Sequence, residues 1–134
     1  MTFLIDTNAV SDLMRADSRI ESWLASVNGN DRVVTCPIVR GEILFGIERL
    51  TPGKRRTELE QAAHRILALF RCEPVPENAG EIYGRAKATR QQQGARLDEN
   101  DLWVAATALA LGATLVSRDS DFSGIVGLSV VIPR

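Results

Sequence analysis

An α/β domain built on a parallel sheet is the fold this sequence predicts, and three observations predict it. Short apolar, β-branched runs alternate with longer stretches of helical periodicity. The clearest breaks, Asn28-Gly29-Asn30, Thr51-Pro52-Gly53 and Gly112, fall between those stretches. Acidic residues stand after two of the apolar runs, at the edge where an open parallel sheet binds its ligands. The 134 residues fit one domain over 1–134, and a 45% hydrophobic content can build its core without disulfides or metal staples.

The elements follow in order. Thr2 to Ile5 is a short apolar run ending at Asp6 and reads as a buried strand. Asn8 to Met14 is a short helix. Ser18 to Val27 is another, with Ser18 as N-cap and Glu21 three residues on. Arg32 to Cys36 is the second strand. Pro37 suits the first turn of a helix to about Leu50, whose apolar stripe is Val39, Ile43, Ile47 and Leu50. A long amphipathic helix covers Lys54 to Phe70. Glu73 to Val75 is the expected third strand. Asn78 to Gln93 is helical and Gly94 ends it. Asp98 or Glu99 opens a helix that runs to Leu111. Thr114 to Ser117 and Ser129 to Ile132 are the last strands.

Composition excludes several classes of function. The start, MTFLIDTNAV, has no basic leader and no long apolar run, and the apolar stretch near Val104 to Leu111 is too short to span a bilayer. A cytoplasmic location, with no membrane partner, is the expectation. Cys36 and Cys72 match no metal-ligand spacing and read as reduced residues in or near the core. A net charge of -1 gives no strong global field to draw in nucleic acid. Only two of the sixteen basic residues, Lys54 and Lys87, are lysines; the rest are arginines, which suit bidentate phosphate or carboxylate pairing.

Four carboxylates stand where these elements would bring them together. Asp6 and Asp119 follow strands. Glu42 lies on the flank of its helix's apolar stripe. Asp101 lies in the first turn of the helix that feeds the Asp119 strand, beside the seam of Leu102, Ala105, Ala106 and Leu109. Clustered carboxylates repel one another and lose hydration, and a divalent cation relieves both costs. All-oxygen ligation points to Mg²⁺ or Mn²⁺ rather than zinc, since His64 is the single histidine. One or two such ions activate water and stabilise charge on a transferring phosphoryl group. Each carboxylate also has a structural reading. Asp6 can begin an Asx-turn, Asp98 can cap a helix, Asp101 can favour a helix N-terminus by charge, Asp119 can start a turn, and Glu42 can be a solvated helix residue.

These stretches resemble a known family. LIDTN at Leu4 to Asn8 looks like the opening of a PIN domain. VRGEILFGIERL at Val39 to Leu50 resembles the second PIN motif, and LDENDLWVAATALALGATLVSRDSDF from Leu97 to Phe122 is similar to the third and fourth motifs of VapC-type toxins. The resemblance covers nearly the whole chain. It implies a PIN-like three-layer fold, a central parallel sheet flanked by helices, with metal held by Asp6, Glu42, Asp101 and Asp119. Asp121 is a further acidic candidate, and Asn8 and Ser117 are supporting polar residues. Asp101 is preferred over Asp98 because the Asn-Asp pair before Leu-Trp-Val-Ala-Ala is where the family's aspartate falls.

The implied activity is metal-dependent hydrolysis of RNA phosphodiester bonds. Arg15, Arg85, Arg90, Arg96 and Arg118 are the candidates to hold flanking phosphates. The implied partners are the RNA substrate, a second copy in a homodimer, and a cognate VapB-like antitoxin that can place a basic side chain near the carboxylates. An RNA-binding PIN module without catalysis is the alternative within the family; the complete acidic set argues against it. A receiver-like Mg²⁺ module needs a lysine at the end of a late strand, and neither Lys54 nor Lys87 is there. A haloacid-dehalogenase-type phosphatase needs Asp-x-Asp-x-Thr after the first strand, where this chain has Asp6-Thr7-Asn8-Ala9-Val10.

Overall fold

The computed structural model describes residues 1–95 and 97–134. Five strands are present: β1 Thr2–Ile5, β2 Arg32–Thr35, β3 Arg71–Cys72, β4 Thr114–Val116 and β5 Val130–Val131. Six α-helices flank them: α1 Thr7–Met14, α2 Ser18–Ser26, α3 Pro37–Glu48, α4 Lys54–Leu67, α5 Ala79–Gln92 and α6 Glu99–Leu111. A short 3₁₀ helix covers Ser120–Gly124. The sheet order is β3-β2-β1-β4-β5, and every neighbouring pair is parallel. The expected α/β fold is thus the observed one.

This order decides where a site can form. From β1 the chain steps outward through β2 to β3, then crosses back to β4 on the other flank of β1. The order therefore reverses between β1 and β4, and the crevice outside their carboxyl ends is the natural ligand position in such a sheet. Leu4 pairs with Val34 on one side and Leu115 on the other. The Asp6 N–H continues the ladder, donating to the Val116 carbonyl over 3.2 Å. Asp6 is thereby locked at the switch point.

Burial explains the continuous apolar runs. Leu4, Ile5, Val34, Leu115 and Val116 are buried, as strands covered on both faces must be. Helix α1 packs on α2, α3 and α4, while α6 packs on β1, β4 and α5. Ala105, Ala106 and Ala108 are buried, so α6 lies close against its neighbours, as its small residues suggest. Trp103, on the side of α6 away from Ala105, is covered within the chain. Its ring stacks on Tyr83 of α5 at 3.9 Å and 5°. Among the described residues, no helix is long and apolar enough to cross a membrane.

Three local expectations are corrected. The N-cap of α2 is Asp17, not Ser18; its carboxylate accepts from the Arg19 N–H. Both residue types cap well, and the extended backbone falls at Asp17. The third strand is Arg71–Cys72 rather than Glu73 to Val75, because the backbone pairs Val34 with Arg71 and Thr35 with Cys72. Glu73 keeps one rung, donating its N–H to the Thr35 carbonyl at 2.8 Å. Helix α4 stops at Leu67, short of Phe70. Gly94 and Gly112 end α5 and α6 as expected, both with positive φ, 71° and 65°.

Leu4 sits at the centre of the sheet with no exposed surface. Truncation to alanine leaves a cavity that flanking strands cannot close, so Leu4→Ala is expected to lower the unfolding free energy by about 2–5 kcal/mol. Urea denaturation of the two proteins measures this, and a loss well under about 1 kcal/mol would contradict a central position for β1.

Candidate metal centre

Two strand ends, the body of one helix and the start of another supply the acidic groups. Asp6 follows β1 and is buried; it caps α1, accepting from the Ala9 N–H at 2.8 Å. Glu42 is half-buried on α3, the helix that follows β2. Asp119 follows β4 and caps the 3₁₀ helix, accepting from the Asp121 N–H at 2.9 Å. Asp101 stands in the first turn of α6. The structural roles read from sequence for Asp6 and Asp119 are therefore real, and coexist with their place at the switch point.

Electrostatics ties these groups into one site. The Asp101 carboxyl is pushed up to about 7, first by burial and then by the negative fields of Asp98, Glu42, Asp119 and Asp6. Asp6 is raised to about 6. Burial is the main cause; the Ser117 hydroxyl and the Ala9 N–H pull it back, Asp119 pushes it up and Arg118 draws it down. These are the marks of carboxylates crowded without enough positive charge. Among the described residues, no three Asp, Glu, His or Cys side chains close to the spacing of direct joint metal ligation. That spread still fits a hard ion such as Mg²⁺, which keeps several waters and takes only one or two carboxylates directly. The donor set is all oxygen, so the chemistry matches Mg²⁺ or Mn²⁺.

Polar neighbours hold the carboxylates in place. Ser117 is buried; its hydroxyl lowers the pKa of the Asp6 carboxyl and accepts the Asp119 N–H at 3.0 Å, while the Asp6 N–H bond to Val116 links the ends of β1 and β4. The Thr7 hydroxyl donates to Glu42 Oε1 at 2.7 Å and draws α3 toward Asp6. Asn8, named from sequence as the polar support, is half-buried on α1, and the bond to Glu42 comes from its neighbour Thr7. Asp98 has a capping task, accepting from the Asn100 N–H at 3.1 Å. The Asp121 side chain is exposed, and its backbone serves Asp119.

The arginine candidates divide. Arg118 donates through Nε to Asp12 Oδ2 at 2.8 Å, and Arg15 also pairs with Asp12. The buried Asp12 thus ties α1 to the segment between Ser117 and Asp119. Arg85 is exposed on α5, whereas Arg90 is buried between α5 and Gly124. Arg96 lies outside the described residues. Thr7 and Asp12 went unnoticed in sequence. Thr7 stands inside LIDTN beside Asp6, a visible signal; Asp12 meets Arg118 across 106 positions and leaves no local trace.

An open α/β sheet with acidic residues at its switch point defines a class of phosphoryl-transfer domains, and similarity narrows it. The PIN domain family pattern matches residues 3–128. The chain is 31% identical to "Toxin FitB" of Neisseria gonorrhoeae over 87% of each chain. It is 29% identical to "Ribonuclease VapC1" of Haemophilus influenzae, over 96% of this chain and 95% of that one. The solved FitAcB structure from Neisseria gonorrhoeae superposes with a TM-score of 0.81 at 28% identity, over 96% of this chain and 95% of that chain. VapBC2 from Rickettsia felis, solved bound to a promoter DNA fragment, reaches a TM-score of 0.91 at 21% identity over the whole of both chains, a likeness of fold. The chain belongs to the PIN domain family. Its relatives within that family are the VapC-type toxins.

The raised Asp101 and Asp6 carboxyls have a stability consequence. Both hold their proton more tightly folded than unfolded, so their contribution is most favourable below about pH 4 and is lost as pH rises through about 6 to 7. For metal-free protein, Asp101→Asn is expected to raise the melting temperature above about pH 7 and to change it little near pH 4. Calorimetry in EDTA measures this. An Asp101→Asn protein less stable than wild type at both pH values would contradict the crowding of these charges.

Proposed function

We propose that this chain is a divalent-metal-dependent endoribonuclease of the VapC type, a toxin held in check by a small cognate antitoxin. One observation carries the catalytic reading. The Asp101 carboxylate is disfavoured first by burial and then by the negative fields of Asp98 at its own helix start and of Glu42, Asp119 and Asp6 from separate elements. A fold gains nothing in stability from such a grouping, and perturbed carboxylates at a sheet edge mark functional sites.

Asp6, Glu42, Asp101 and Asp119 would hold Mg²⁺ or Mn²⁺, with Asp121 next to them. When bound, such an ion lowers the pKa of water and offsets charge on the phosphoryl oxygens. The chain's own residues do the positioning. Ser117 lowers the pKa of the Asp6 carboxyl and holds the Asp119 N–H, and Thr7 aims Glu42. The buried Asp6 and the raised Asp101 stay reluctant to ionise until a cation arrives, so the site is poised for one. Arg118 and Arg15, tied by Asp12 beside this edge, face the flanking phosphates of a bound RNA strand. The single histidine, His64, lies on α4 and has no part in the site.

The partner reading rests on the relatives: one is named a toxin, and another a ribonuclease. Here the antitoxin's terminal segment carries an arginine to Asp6, Glu42, Asp101 or Asp119, where its planar fork pairs with carboxylate oxygens. Its apolar part covers Leu44 and Phe45, which are exposed side by side on α3. The toxin acts as a homodimer in the cytoplasm, where its RNA is found.

RNA cleavage by nuclease-free protein is expected to require Mg²⁺ or Mn²⁺ and to stop in EDTA. Asp6→Asn and Asp101→Asn are each expected to lower the rate by about a hundredfold or more, while Asp98→Asn retains most of it. Thr7→Val, which removes the bond to Glu42, is expected to cost about tenfold to a hundredfold. Undiminished cleavage in EDTA would overturn the metal-dependent reading. An inactive Asp98→Asn beside an active Asp101→Asn would move the ligand by one helical turn.

A further inference from the structure

Away from the carboxylates, a groove of about 330 Å³ runs between α5 and the segment after the 3₁₀ helix. Its walls are mainly aliphatic, Ile82 and Ala86 from α5, Leu109 from α6 and Ile125 opposite, with Thr89 of α5 beside them. Two arginines, Arg85 and Arg90, enter it, and no carboxylate lines it. Arg90 is only 9% exposed, yet its Nε–H finds no hydrogen-bond partner among the described residues. A Cβ added at Gly124 would lie 3.0 Å from an Arg90 guanidinium nitrogen, so the glycine makes room for the group. Neither arginine makes an ion pair among the described residues, whereas Arg15, Arg19, Arg32, Arg56, Arg71 and Arg118 all do.

A buried donor without an acceptor is costly, and a buried guanidinium without a counter-charge more so. A fold keeps one where a ligand supplies the missing acceptor. The chemistry of that ligand follows from the walls. It must bring an anion to Arg90 and Arg85, and aliphatic groups to Ile82, Ala86, Leu109 and Ile125. At the rim Val126 is 83% exposed, apolar surface that a small ligand inside the groove would leave wet. A polypeptide lying across the groove would cover it. An RNA strand would meet Arg85 and Arg90 with phosphate but would lay polar sugar and phosphate groups on Ile82, Ala86, Leu109 and Ile125, leaving those aliphatic walls without apolar partners.

We propose that the α5 groove is a docking site for a partner polypeptide that presents an aspartate or glutamate flanked by aliphatic residues, the carboxylate pairing with Arg90 and Arg85. The fork of Arg90 receives the carboxylate, and the aliphatic neighbours displace water from the walls and cover Val126. Affinity comes from apolar burial, and selectivity from the otherwise unmet guanidinium. This site is independent of the nuclease reading, because none of Asp6, Glu42, Asp101 and Asp119 lines it.

The test uses the full chain, immobilised, and a synthetic peptide library. The central position is glutamate, aspartate, glutamine, lysine or phosphoserine, and the flanks are mixed leucine, isoleucine, valine and alanine. Enrichment of glutamate or aspartate peptides about tenfold or more over glutamine is expected, a difference of about 1.4 kcal/mol. NMR shifts on adding an enriched peptide should centre on Ile82, Ala86, Ile125 and Val126. Arg90→Met should erase the preference for acid. Ala86→Trp, which fills the groove without removing a charge, should abolish binding while leaving RNA cleavage and the circular dichroism spectrum unchanged. Equal capture of glutamate and glutamine peptides, no capture, or binding retained in Ala86→Trp would overturn the proposal. So would an RNA oligonucleotide that displaces the peptides, or a wild-type dimer that Ala86→Trp turns into a monomer, since RNA or a second copy would then be the occupant.

Discussion

Burial of carboxylates beside one another at the carboxyl edge of the sheet is the constraint around which the rest of the chain is organised. Asp6 is buried at the switch point between β1 and β4, and Asp101 feels Glu42, Asp119 and Asp6 at once. Left alone, such a group favours either protonation or displacement of its members. The fold opposes displacement with specific bonds. The ladder fixes Asp6 and links the β1 and β4 ends, Ser117 holds the Asp119 N–H, Thr7 holds Glu42, and Asp12 anchors Arg118 between Ser117 and Asp119. Protonation is the release that remains, and Asp6 and Asp101 are both pushed up toward it. A divalent cation is the alternative release, and it brings the chemistry with it.

This arrangement separates the work of the core from that of the edge. The central strands β1 and β4 are apolar and largely buried, and the small residues of α6 let it sit close to them. That rigidity holds the carboxylates together against their charge, because Asp6 and Asp119 stand just beyond β1 and β4 while Glu42 and Asp101 stand within α3 and α6. Arg118 makes the same point from the other sign. Its charge lies beside Asp119, yet its short bonds run to Asp12, so it steadies the strand end without filling the acidic site. The α5 groove reverses the imbalance. Arg90 and Arg85 there are positive charges without a carboxylate among the lining residues, on a face that the acidic edge does not reach.

Much of this was legible in the sequence, for reasons that can be named. Apolar runs ending in Asp6 and near Asp119 mark strand ends because parallel strands are buried on both faces and the chain turns polar where the sheet stops. Gly94 and Gly112 mark helix ends because left-handed backbone favours glycine. What stayed hidden depends on partners distant in sequence. The Thr7–Glu42 bond spans 35 positions and the Asp12–Arg118 pair 106, and no local pattern encodes either. The two-residue β3 is defined by its pairing to Val34 and Thr35 rather than by its own residues, so the run at Glu73 to Val75 was a poor guide. Arg90 reads from sequence as a phosphate contact; the structure buries it on α5, where Gly124 packs against its guanidinium.

The central claim is that one divalent ion site unites carboxylates from four separate elements. Crystals of the wild-type chain soaked in Mn²⁺, with anomalous diffraction recorded near the manganese edge, address it most directly. The expected result is a manganese peak at the β1/β4 edge, bonded directly or through ordered water to Asp6, Glu42, Asp101 and Asp119, and absent from crystals of Asp101→Asn. A manganese peak elsewhere on the chain with none at this edge, at a metal concentration that supports RNA cleavage, would contradict it.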